Sequence, residues 1–146
     1  MDVNAADHFG QTVLQHAAES GNLDLVKYLI KELHLDVNAV TGRGETILHF
    51  AAMSGNSDLV QYLIEVCHLN VNAVDNFGKT VLHHAAEKGN LELIRYLIKE
   101  HHLNVNAVTQ LNQTVLHIAA GMRNLYLIWY LIREEHADVT IVENIG

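Results

Sequence analysis

Proline is absent from these 146 residues, and cysteine and tryptophan each occur once. Without proline, no helix start has its φ angle fixed in advance by a pyrrolidine ring. The lone Cys67 excludes an internal disulfide framework and fits a reducing compartment. Its expected role is packing near a helix end, not catalysis. Basic residues are scarce: 9 Lys and Arg against 17 Asp and Glu leave a net charge of −8. That balance argues against nucleic-acid or anionic-membrane partners, whose phosphates require clustered cations. Eleven histidines qualify it, because protonating them all would reverse the sign of the charge. No apolar run reaches the roughly 18 residues of a membrane span. Met1-Asp2-Val3-Asn4 has neither the charged region nor the apolar region of a signal peptide.

What the chain does have is one phrase written four times, at a spacing of 34 residues. Thr12, Thr46, Thr80 and Thr114 are each followed by a β-branched residue and a leucine: Val13-Leu14, Ile47-Leu48, Val81-Leu82 and Val115-Leu116. Three residues beyond each leucine begins an Ala-Ala pair, at 17–18, 51–52, 85–86 and 119–120. A self-similar period of this length marks a small helical unit stacked on copies of itself. Its core is a strip between units, and its outer face repeats the same columns of positions. The spacing points to a binding surface before any residue is singled out.

Residues 75–108 show the unit. Asp75-Asn76-Phe77-Gly78-Lys79 predicts a turn, with a polar side chain to bond nearby N–H groups and Gly for a positive φ. Thr80 predicts a helix N-cap, followed by a short helix over about 81–88 that packs through Leu82, Ala85 and Ala86. Gly89 then ends it in a left-handed position. Asn90 caps a second helix over about 91–100, with Leu91, Leu93, Ile94, Leu97 and Ile98 inward and Glu92, Arg95 and Lys99 outward. The segment from His101 to Ala107 is expected to run extended. Neither helix is long enough to be stable alone, so stability must come from stacking.

This unit resembles the ankyrin repeat. That family's motif is Asp-x-x-Gly-x-Thr-Pro-Leu-His-x-Ala-Ala, then Gly, a second helix, and Asp-Val-Asn-Ala. Here it reads Asp75-Asn76-Phe77-Gly78-Lys79-Thr80-Val81-Leu82-His83-His84-Ala85-Ala86, then Gly89, then Asn104-Val105-Asn106-Ala107. Val or Ile replaces the proline in every unit. One extra residue precedes the terminal loop (Leu33, Cys67, His101 and Glu135). The resemblance implies an all-α solenoid of four stacked helix-turn-helix units with projecting turns and a concave face of turn tips and first helices. It also implies that His49, His83 and His117 bridge the threonine to neighbouring backbone, with Gln15 in their place in the first unit. The units are 7–40, 41–74, 75–108 and 109–142. Residues 1–6 read as the tail of a preceding repeat and 143–146 as the start of a following one. The outer units look internal and not like polar caps, so a segment of a longer protein is expected.

The histidine columns carry no metal reading. Equivalent residues of stacked units lie roughly 8–10 Å apart, whereas ligands must all come within about 2.0–2.3 Å of one ion. His34, His68, His102 and His136 instead suit a loop position in or near the left-handed region. No nucleophile, base and orienting acid converge, and no Gly-rich phosphate cradle appears, so no catalytic residue, cofactor or metal is expected. The turn tips and the exposed ends of the first helices vary while the frame stays fixed. Arg43, Glu45, Met53, Asn76, Phe77, Lys79, Glu87, Lys88, Leu111 and Met122 are the expected partner-binding residues. Phe9, Phe77 and Leu111 could equally pack against neighbouring tips. In the fourth unit Tyr126 and Trp129 stand where the others carry Asp24 and Lys27, Asp58 and Gln61, and Glu92 and Arg95. They are expected to be partly exposed, as a convex contact for neighbouring repeats, a partner or a second copy. The leading expectation is therefore a non-catalytic, cytoplasmic protein-interaction module. The alternative is the recognition segment of a larger enzyme or effector, the latter delivered to a host cytosol.

Overall fold

The structure is a computed structural model that describes residues 4–140. Among the described residues the regular structure is all helical: α1 (Val13–Glu19), α2 (Leu23–Lys31), α3 (Ile47–Ser54), α4 (Ser57–Glu65), α5 (Val81–Glu87), α6 (Leu91–His101), α7 (Val115–Gly121) and α8 (Leu125–Arg133). One isolated antiparallel bridge joins Ala6 to Thr12. The end segments 1–3 and 141–146, read above as parts of flanking repeats, lie outside the described residues.

Both helices of each pair start on a side-chain cap. The first helices are entered through Thr12, Thr46, Thr80 and Thr114, all in extended backbone and all in capping boxes. The second helices start on Asn22, Asn56, Asn90 and Asn124, whose Oδ1 atoms accept from the backbone N–H of Leu25, Leu59, Leu93 and Leu127 at 3.0–3.2 Å. Each second helix ends in a left-handed histidine: His34, His68, His102 and His136 have φ of 53–55°. The N–H one residue later reaches back six positions, as Leu103 does to the Leu97 carbonyl at 3.3 Å, which closes a Schellman turn. This geometry carries α6 through His101, which the sequence placed in the loop. The following segment is not extended throughout either. Asn104 Oδ1 accepts from the Asn106 N–H at 2.9 Å and bends the chain into an Asx turn.

In the third repeat the histidine of the capping box works in both directions, whereas in the fourth the His117 Nε2 makes no such second bond among the described residues. His83 Nδ1 accepts from the Thr80 N–H at 3.1 Å, and its Nε2 donates to the Ala107 carbonyl at 3.1 Å. In the first repeat Gln15 reproduces both bonds, with Oε1 accepting from the Thr12 N–H and Nε2 donating to the Ala39 carbonyl, each at 2.9 Å. An amide and a neutral imidazole are thus interchangeable here, since each offers one acceptor and one donor on opposite sides.

The chain divides into two compact units, 1–76 and 77–146. In the first, α1 packs on α3 and each pairs with its own second helix. Ala18, Val26, Ala51, Leu59, Val60 and Leu63 are fully buried there. In the second, α5 packs on α7 in the same way. Leu93, Ile94, Leu97, Ala119 and Leu131 are among its fully buried residues. Leu91 and Ile98, expected to be buried, are only half-buried. The tight alanine columns let paired helices approach closely, and each large aliphatic buried contributes about 1.5–3 kcal/mol.

A fourth column shows how the extra residue of each unit is used. His101 Nε2 lies 2.9 Å from the Tyr96 hydroxyl, and the Tyr130 hydroxyl donates to Glu135 at 2.9 Å. In the second repeat the bond to that tyrosine is made by backbone, the Cys67 N–H donating to the Tyr62 carbonyl at 3.4 Å. Leu33 has no side-chain group that could bond Tyr28. The side chain of the inserted residue therefore latches the tyrosine of its own helix in the third and fourth repeats.

Two outcomes follow from the backbone and the caps. Where Gly21, Gly55 and Gly89 take positive φ after the first helix, the fourth repeat places Arg123 at φ 56°. Arg123→Gly should raise stability by about 1 kcal/mol, seen as a higher urea midpoint. Burial holds the His83 pKa below its ordinary 6.5. The fold keeps this ring neutral, so the stability it contributes is complete above about pH 6.5 and declines as the pH falls below that value. His83→Gln should keep the midpoint near its wild-type value at pH 7.5 and flatten its decline on acidification to pH 5.

Candidate protein-binding surface

The tips are built from one small hydrogen-bond pattern. Asp7 Oδ1 accepts from the Phe9 and Gln11 N–H groups at 2.9 and 3.0 Å. Thr41 Oγ1 does the same for Arg43 and Glu45, and Thr109 Oγ1 for Leu111 and Gln113, at 3.2–3.3 Å. A carboxylate and a hydroxyl serve alike because the turn needs only a short-chain acceptor. Neighbouring tips are stitched by backbone. Within the first unit the Asn76 N–H donates to the Arg43 carbonyl at 2.8 Å, and within the second Gln110 donates to Phe77 at 2.9 Å. The apex side chains are left in solvent: Phe9 is 79% exposed, Phe77 50% and Leu111 77%. Packing against neighbouring tips, the other reading of these residues, does not bury them.

In the first unit Arg43, Glu45 and Met53 come together around a cavity of about 320 Å³, with Phe9, Gln11, Glu19 and Phe50 completing its walls. Asn76 is engaged elsewhere. Its Nδ2 donates to the Gly42 carbonyl at 3.0 Å, and its side chain lies against Gly44 too closely for a Cβ there. It therefore serves to hold the tip. In the second unit Phe77, Lys79 and Leu111 line a cavity of about 470 Å³ with Thr109, Gln110 and Gln113. Lys88 and Met122 stand exposed at the C-terminal ends of α5 and α7 and do not reach it.

Charges at these tips are tied to the first helices. Lys79 Nζ meets Glu87 at 2.6 Å, and in the same columns Gln11 Nε2 donates to Glu19 at 2.5 Å. The His84 side chain, then Lys79, holds the Glu87 carboxyl far below the usual range, at about 2, against the opposing effect of burial. At the first tip, the His16 imidazole 2.7 Å away lowers the Asp7 pKa, helped by the Gln11 N–H. Sequence reasoning missed Phe50, Thr41 and Thr109 as parts of these surfaces. Phe50 sits in a column otherwise occupied by His16, His84 and Ile118, so no periodic signal marked it.

The family comparison fits this geometry. A model of the family described as Ankyrin repeats (3 copies) matches residues 1–75 and again 48–143. This chain belongs to the ankyrin repeat family. A search among curated proteins found no match. Ankyrin repeats are in general protein–protein interaction modules and typically non-catalytic, which suits a surface of fixed turns with variable apices. Among the described residues, no helix is long and apolar enough to cross a membrane.

The Glu87 contacts set an acid response. Its folded pKa lies below the free value of 4.5, so its contribution is complete above about pH 4.5 and is lost as the pH falls towards 2. Glu87→Gln should therefore melt with a shallower dependence on pH between 4.5 and 2 than the wild type, measured by circular dichroism.

Proposed function

We propose that this ankyrin repeat chain is a non-catalytic docking module whose partner protein lies on the turn tips and the adjoining ends of the first helices. The exposure of Phe9, Phe77 and Leu111 on hydrogen-bonded, preset turns carries this reading. Aromatic and arginine side chains are the usual anchors of protein interfaces, and a surface ordered beforehand loses less entropy on binding. Each unit offers its own patch: Arg43, Glu45 and Met53 with Phe9 in the first, and Phe77, Lys79, Glu87 and Leu111 in the second. Lys88 and Met122, exposed at the ends of α5 and α7, would extend the proposed surface beyond that cavity. Asn76 supports the first patch from behind. The half-buried thiol of Cys67 suits a reducing, intracellular setting.

The test is a pull-down with the wild-type chain and with Arg43→Ala/Phe77→Ala, followed by affinity measurement on whatever the wild type retains specifically. The double variant should keep its helical spectrum and bind at least about 2 kcal/mol more weakly if either residue is a hot spot. Undiminished affinity would move the binding site off the tips.

A further inference from the structure

Exposed aromatics such as Tyr126 and Trp129, 62% and 50% exposed, do not by themselves specify an occupant. The cavity of the first unit does, because its walls carry charge as well as rings. Phe9, Phe50 and Met53 give it apolar walls, and Glu19 and Glu45 give it two carboxylates. Both carboxylates are held by neutral donors: Gln11 Nε2 donates to Glu19, and the Thr41 hydroxyl donates to Glu45 at 3.1 Å. Among the described residues neither carboxylate has an ion pair, and neither does Arg43, the one cation on these walls. Two negative charges therefore stand against one positive charge around the same space.

The third repeat shows what this pattern accepts. Gln11, Glu45, Lys79 and Gln113 share one column of the repeat, and Glu19, Met53, Glu87 and Gly121 share another. Where the first column supplies a lysine, the Lys79 ammonium sits on Glu87 at 2.6 Å. That repeat fills its acidic position from its own chain. The first repeat has Gln11 where the lysine stands and the second has Glu45, so the charge that Lys79 cancels at Glu87 stays uncancelled at Glu19 and Glu45. The first unit also places a cation against an aromatic face elsewhere, with Lys27 Nζ 5.3 Å from the centroid of the Tyr62 ring.

We propose that this cavity receives a lysine or arginine side chain of the partner protein, its stem against Phe50 and Met53 and its cationic head between Glu19 and Glu45. The inference rests on the turn tips being the docking surface and names the chemistry that one patch of it selects. A long basic side chain suits such a place, because its stem covers apolar surface while its head stays near water. The head gains charge-assisted hydrogen bonds to the carboxylates and attraction to the rings of Phe9 and Phe50. An apolar side chain would use the same walls but strip water from both carboxylates without offering a donor in exchange. An acidic one would meet two like charges for one guanidinium. The net charge of −8 also draws a basic partner towards the chain.

The experiment titrates the nitrogen-15-labelled whole chain with capped peptides Ala-Ala-X-Ala-Ala, in which X is lysine, arginine, norleucine or glutamate. Amide shifts at Glu19, Glu45, Phe50 and Met53 report binding in the cavity. The lysine and arginine peptides should bind there at least about fivefold more tightly than the norleucine peptide, and high salt should shrink that preference. Glu19→Gln/Glu45→Gln keeps acceptors for Gln11 and Thr41, and circular dichroism checks its fold. It should bind the lysine and norleucine peptides alike. If it fails to fold, the wild-type series and its salt dependence still decide. The proposal is overturned if norleucine binds as well as lysine, if glutamate binds more tightly, if the double variant keeps the preference, or if the lysine peptide at about 20 mM leaves these amides unmoved. The pull-down with Arg43→Ala/Phe77→Ala reads the tips separately. A partner lost from that variant, with no preference for cations in the titration, would sink this inference and leave the docking surface standing.

Discussion

In the first and third repeats one buried side chain ties separate pieces of backbone together, and the structure around it leans on that tie. Gln15 and His83 each accept from the N–H that enters a first helix and donate to a loop carbonyl 24 residues on. First helices of seven or eight residues are too short to persist alone in water. The tie anchors the start of the helix and the end of the same repeat's loop to one group, so tip, helix and loop form as a set. A side chain with only a donor or only an acceptor would leave a buried backbone group unpaired, at a cost of about 1–3 kcal/mol.

The tips show how a fixed frame can carry variable chemistry. The turn acceptor alternates between Asp7, Thr41 and Thr109 with the same bonds. The apex passes from Phe9 to Arg43, Phe77 and Leu111. Because the turns at Asp7, Thr41 and Thr109 are held by main-chain N–H groups, their frame stays the same while the apex side chain changes. Changing that side chain alters the chemistry that the tip presents to solvent.

Features made within a few residues were legible in the sequence. The threonine and asparagine caps, the left-handed histidines and the exposed Tyr126 and Trp129 all follow from local pattern and period. Features that depend on what comes alongside were not. Asn76 reads as an apex residue, but in three dimensions it reaches Gly42 across the neighbouring tip. Lys79 and Glu87, two separate candidates in the sequence, neutralise one another because a turn brings positions eight apart together. The Asx turn at Asn104 was hidden because one asparagine can serve an extended strand, a cap or a turn equally well.

The tyrosine latch gives the repeats different chemical temperaments. An imidazole holds Tyr96 and a carboxylate Tyr130, the latter a phenol that burial and Glu135 push up to about 12. A carboxylate can only accept, so Tyr130 must donate to it, whereas an imidazole can take either side of its bond with Tyr96. Repeats with the same backbone thus close on different chemistry, and a chain that reads as periodic is not chemically uniform along its length.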